Sequence, residues 1–194
     1  MTQKGIGLGV SDFKKVIKEN LYFVDKTLFI KEVIDNNDEV ILITRPRRFG
    51  KTLNMSMLSY YFDINGKYNK ELFNGLNIMN YGDKYINEIA RYPVINLSFV
   101  DVKETSYKNM ILSFKSVIAD LYLTHEYLLE SDKISSSEKR NIQDIINYKS
   151  NEVMLKRSLK DLSKYLEKHF RWKSNNTYRW IWCTFAKFIY RRLL

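Results

Sequence analysis

From Ser11 onward, apolar positions fall at helical spacing between polar breaks. Ser11-Asp12 offers an N-cap for a helix reaching Lys18. A second helix runs from about Lys26 to Ile34, with Leu28, Phe29 and Val33 as its apolar stripe, and stops in the polar turn Asp35-Asn36-Asn37-Asp38. Glu39-Val40-Ile41-Leu42-Ile43-Thr44 is aliphatic without alternation, which predicts a central strand covered on both faces in a parallel sheet. Arg45 to Gly50 break that run, and helical spacing returns from Lys51 through Leu53, Met57, Leu58 and Tyr61. A polar stretch carrying Gly66, Gly75 and Gly82 leads to a second strand over Tyr92 to Phe99, with Pro93 at its start, where a missing N–H is tolerated. Helices are predicted over about 105 to 130, 136 to 148 and 151 to 169; the last carries Val153, Leu155, Leu159, Leu162, Leu166 and Phe170 as a stripe. Ser135-Ser136-Ser137 ahead of Glu138 reads as a capping box.

Strands alternating with helices predict an α/β class, a three-layer fold around a parallel sheet. Two visible strands are marginal alone, so the sheet is expected to be incomplete, with its C-terminal strands missing. With 194 residues, the chain suits one domain rather than two. Its 45% hydrophobic and 28% charged residues with only 2 Pro exclude a linker or a disordered tail. One cysteine, Cys183, excludes an internal disulfide. With no apolar signal core at the N-terminus and no apolar run of about 18 residues, the expected location is the cytoplasm, with no membrane contact.

The net charge of +10 is unevenly spread. Residues 171 to 194 carry six basic side chains (Arg171, Lys173, Arg179, Lys187, Arg191, Arg192), no acid, all three tryptophans (Trp172, Trp180, Trp182) and the cysteine. Residues 1 to 170 are nearly balanced, with 26 Lys/Arg against 22 Asp/Glu. The charge therefore argues less for a nucleic-acid surface than for a tail unlike the body. The chain divides accordingly into 1–170, a nucleotide-binding body, and 171–194, an aberrant basic tail.

Arg45-Pro46-Arg47-Arg48-Phe49-Gly50-Lys51-Thr52 lies between an expected strand and an expected helix, the context of a phosphate-binding loop. Against G-x-x-x-x-G-K-[ST], the first glycine is replaced by Arg45. The physics survives that change. Gly50 lets backbone N–H groups turn inward, and a helix starting near Lys51 points its positive end at the same place. Lys51 would reach the β- and γ-phosphates of ATP, and the Thr52 hydroxyl would ligate Mg²⁺. The nucleotide-binding residues are expected to be Arg48, Phe49, Gly50, Lys51 and Thr52, with Thr52 on the metal. The arginines would also suit nucleic acid, which the loop allows without requiring.

Gly9-Val10-Ser11-Asp12-Phe13, Tyr22-Phe23-Val24-Asp25-Lys26-Thr27 and Arg45 to Thr52 together resemble the opening of the AAA-ATPase-like domain. This bacterial P-loop family is often followed by a PD-(D/E)XK nuclease-like domain. The resemblance covers about residues 5 to 170. It implies an ATP-binding, cytoplasmic domain of unspecified substrate. Asp25-Lys26-Thr27 belongs to it, and as residues these three suggest only a helix N-cap.

By the same resemblance, an aliphatic strand ending in Asp-Glu should follow His169-Phe170, its carboxylates holding Mg²⁺ and orienting the attacking water. The tail stands there instead. Back-translating Arg179 to Thr184 as AGA TGA ATA TGA TGT ACC and sliding one base gives D-E-Y-D-V-P. Extended from Arg171 to Tyr190, the same operation permits G-E-K-V-I-I-L-I-D-E-Y-D-V-P-L-Q-N-L-Y. The tail is thus expected to be a frameshift product translated with TGA as Trp; the alternative is a basic amphipathic helix. Without the acids, the expectation is weak nucleotide binding without turnover.

His125 and His169 have no second ligand at metal spacing, so surface or helix-end positions are expected and no zinc. Gly5-Ile6-Gly7-Leu8-Gly9 lacks a preceding strand and reads as a turn-rich entry, not a dinucleotide fingerprint. Asp101, after the second strand, either faces the site or caps the strand. A nucleic-acid-binding or interaction module without ATPase activity is the competing expectation. It differs in salt dependence, because phosphate-driven binding weakens steeply with ionic strength.

Overall fold

The computed structural model describes residues 4–36, 41–44, 46, 48–66, 69–100 and 102–170, together with the backbone of 181–185. The order is α1 (Phe13–Lys18), α2 (Leu28–Asp35), α3 (Lys51–Phe62), α4 (Asp83–Ile86), β1 (Val94–Ser98), α5 (Tyr107–Thr124), α6 (Ser136–Ile146), α7 (Glu152–Phe170) and β2 (Ile181–Phe185). Short 3₁₀ turns occupy Asn69–Phe73, Asn77–Asn80 and Glu126–Glu130. Contacts divide the chain near residue 95 into two compact units.

The described residues are mostly helical, and the expected three-layer α/β fold with a parallel sheet is not what they form. Residues 41–44 lie outside any strand, and Leu42 is 82% exposed where a strand covered on both faces would bury it. The second expected strand does form as β1, whose partner in a two-stranded ladder is β2. An aliphatic run sets a preference for extended backbone, but a strand exists only where a neighbour takes its N–H and C=O groups. The described chain offers 41–44 no such neighbour. At 181–185 the backbone is strand, not the basic helix considered as an alternative.

In the first unit, α1, α2 and α3 pack with the 3₁₀ turns and α4 around Phe13, Ile30, Met57, Tyr61, Phe62, Phe73 and Ile78, all fully buried. Asp12 caps α1 by accepting from Lys15 N at 2.7 Å. Its other oxygen accepts from Tyr60 OH at 2.9 Å, and Phe13 N donates to Ser56 Oγ at 3.0 Å. Two side chains of α3 thereby fix the start of α1.

In the second unit, α5, α6 and α7 bury Ile118, Leu121, Tyr122, Ile142, Ile145, Leu162 and Leu166. The capping box of α6 is present: Ser135 Oγ accepts from Glu138 N at 3.3 Å, and Ser135 N donates to Glu138 Oε2 at 3.0 Å. The helix expected over 105 to 130 ends at Thr124 and gives way to the 3₁₀ turn after His125. Among the described residues no helix is long and apolar enough to cross a membrane.

Candidate functional site

Gly50 sits in the left-handed region, φ 72° and ψ 19°, and the next residue, Lys51, is the first of α3. A Cβ at Gly50 would meet nothing within 4 Å, so the requirement for glycine there is one of backbone conformation, not of space. Arg48 is also left-handed, φ 69°, a conformation that costs a non-glycine residue roughly 1–2 kcal/mol. Two left-handed residues separated by one turn the loop sharply into the helix. No side chain caps α3, whereas Asp12, Ser106 and Ser135 cap α1, α5 and α6. The first-turn N–H groups of α3 have no acceptor within the helix, and they carry its positive end.

Lys51 Nζ donates to the Pro46 carbonyl at 3.3 Å, folding the lysine back across its own loop. Thr52 lies exposed in the first turn. Beside the loop opens a cleft of about 840 Å³, whose lining includes Lys51, Phe49, Pro46, Thr44 and Asn54 and, from the α2 side, Lys26, Phe29 and Glu32. Of the residues singled out in the sequence, the cleft brings together Phe49 and Lys51; Arg48, Gly50 and Thr52 lie in the adjoining turn. Arg45, Arg47 and Asp101 lie outside the described residues, as do the side chains of Trp172, Trp180, Trp182 and Cys183.

The cleft wall from α2 is not announced by any motif, since Phe29 and Glu32 reach the site only through the packing of α2. The role of Asp25 and Thr27 also escaped the sequence. Thr27 stands at the N-terminal boundary of α2 but makes no side-chain cap there. Asp25 Oδ1 accepts from Thr27 N (2.8 Å) and Thr27 Oγ1 (2.6 Å), while Asp25 Oδ2 accepts from Asn77 N (2.7 Å) and Thr27 Oγ1 from Ile78 N (3.1 Å). The pair clamps the turn Asn77–Asn80 against the start of α2, about fifty residues away in sequence.

The two histidines are not ligands: among the described residues no His, Cys, Asp or Glu cluster suits a metal ion. His125 is at the C-terminal boundary of α5, a helix end as expected, but it is buried and not on the surface. Its Nδ1 lies 3.0 Å from Tyr127 OH, and its Nε2 is buried without a partner.

A curated relative from Azotobacter chroococcum mcd 1, described as an uncharacterized protein in the vnfD 5′ region, is 34% identical over 100 residues. The aligned part is 51% of this chain and 18% of that protein, so the chain spans less than a fifth of its relative's length. No solved structure matches. The family model described as "Predicted AAA-ATPase" matches residues 7–169, which take in α1 to α7 and the Gly50-Lys51-Thr52 turn. The chain belongs to that predicted AAA-ATPase family.

Proposed function

We propose that the chain binds ATP with Mg²⁺ through Arg48 to Thr52 and does not turn it over. One observation carries this reading: a left-handed Gly50 delivers Lys51 to the first position of an uncapped helix that opens on a cleft. First-turn N–H groups and an ammonium at one point form an anion site. Mg²⁺ is a hard cation that takes most of its oxygens from phosphates and water, so the exposed Thr52 hydroxyl fits as its one protein ligand.

Binding of ATP should be weak. Residues 41–44 ahead of the loop belong to no ladder, and a loop without that support must be ordered when the ligand arrives. A dissociation constant of roughly 0.1–1 mM, about −4 to −5.5 kcal/mol, follows. Calorimetric titration of Mg-ATP into the chain and into Lys51→Ala should show at least a tenfold weakening in the variant. Equal affinities would remove the site. Steady-state phosphate release that Lys51→Ala lowers would overturn the absence of turnover.

The division at residue 170 is part of the same reading. Residues 171–194 hold no carboxylate where the family resemblance places water-orienting acids, and a one-base slip restores them. The codons for Trp172, Trp180 and Trp182 should all be TGA when the locus is sequenced; TGG at these positions sinks the slip.

A further inference from the structure

We infer that the apolar wall of the cleft is a platform for the base of a nucleoside triphosphate, with Leu42 and Phe49 as its contact residues. The inference rests on the nucleotide reading above.

The cleft is chemically two-sided. At one end stands Lys51 with the start of α3; along the rest run Leu28 and Phe29 of α2, then Ile41, Leu42 and Phe49. A polyphosphate alone would use the first part and leave the second empty. Leu42 and Phe49 are 82% and 55% exposed, so folding explains neither, and both border the same cavity as the lysine. Phe29 differs in that it also packs on the core, which fixes that side of the wall. A cleft of about 840 Å³ falls in the range of sites that hold a whole nucleotide-sized ligand. An aromatic ring offers any base a stacking face, so the platform favours nucleotides as a class over inorganic polyphosphate or a phosphorylated side chain.

Charge works against this preference, which makes it measurable. Inorganic tripolyphosphate carries more negative charge than ATP, so an electrostatic site binds it at least as well. A base platform reverses the order, and one stacked base is worth about tenfold.

The experiment titrates Mg-ATP and Mg-tripolyphosphate separately into the full chain, Lys51→Ala, the double variant Leu42→Ser/Phe49→Ala and Phe49→Tyr. Far-UV circular dichroism checks the fold of each. ATP should bind about tenfold tighter than tripolyphosphate in the unsubstituted chain. That ratio should fall to within twofold of one in the double variant and persist in Phe49→Tyr, which keeps the ring. Lys51-dependent binding of both probes with equal affinity removes the platform and leaves the nucleotide reading standing. A ratio unaltered by the double substitution also removes it. If neither probe shows Lys51-dependent binding, the nucleotide reading fails and the platform with it.

Discussion

Phe73→Ala lowers the stability of the first unit by about 3–5 kcal/mol, a large part of what an ordinary domain possesses. Phe73 is fully buried at the end of a 3₁₀ turn. It stacks on Phe13 at 5.0 Å between ring centroids, with an interplanar angle of 28°, and meets the edge of Tyr61 at 4.9 Å. Alanine forfeits the transfer energy of the ring and leaves a cavity. That cavity resists collapse, because Phe13 is held by the hydrogen bond of its own N–H to Ser56 Oγ and Tyr61 by its hydroxyl, which donates to the Tyr85 carbonyl at 2.7 Å. Phe73→Leu keeps much of the volume and should cost roughly 1–2 kcal/mol. Urea unfolding followed by circular dichroism gives both numbers. An alanine penalty under about 1 kcal/mol would mean that Phe73 is not the centre of this core.

The features legible in the sequence were those with local causes. Asp12 and the Ser135–Glu138 box mark helix starts because their acceptors lie three residues from their donors. The stripe of α7 is legible because one face of one helix is buried, as Leu162 and Leu166 show. The Gly50-Lys51 turn is of the same kind: a left-handed residue and a helix start are settled within a few residues. Where the cause is distant, the sequence is silent or misleading. The run Ile41 to Thr44 has strand composition and no partner, so the expected central strand does not form. Asp25 and Thr27 looked like a cap, and their partners are the N–H groups of Asn77 and Ile78. No spacing rule connects residues that far apart.

The split runs through the site itself. The turn that would hold phosphate is built by its own residues, whereas the strand that would hold the turn depends on neighbours. An arginine held left-handed at position 48 adds to this, since such strain persists only where surrounding structure or function maintains it. A loop of this kind retains the geometry of anion binding and loses rigidity. Weak binding with a dependence on Lys51 follows from that combination.

His125 should make the second unit lose stability as pH falls from 7 to 5. The ring is 4% exposed, and burial pushes its pKa down from 6.5 to about 4. The unfolded chain therefore binds a proton near pH 6.5 that the folded chain refuses until about pH 4. In that window the unfolded state holds more protons, so stability rises with pH and is lost on acidification. The full difference is about 3 kcal/mol, of which roughly 2 kcal/mol is felt between pH 7 and 5. The groups around the ring do not offset this. Tyr127 OH faces Nδ1, and the Tyr127 ring lies 5.3 Å from that of His169. Burial and the Lys133 ammonium lower the His169 pKa too, against a smaller opposing effect of Asp132, giving the same sign. Glu138 is held low by Lys168 and the Ser135 cap despite its partial burial, so its loss comes at more acid pH. Denaturant unfolding at pH 7 and 5, for the chain and for His125→Gln, isolates the effect. The variant should retain only the smaller slope that His169 provides. Equal slopes in the two proteins would show that His125 is protonated in the folded state.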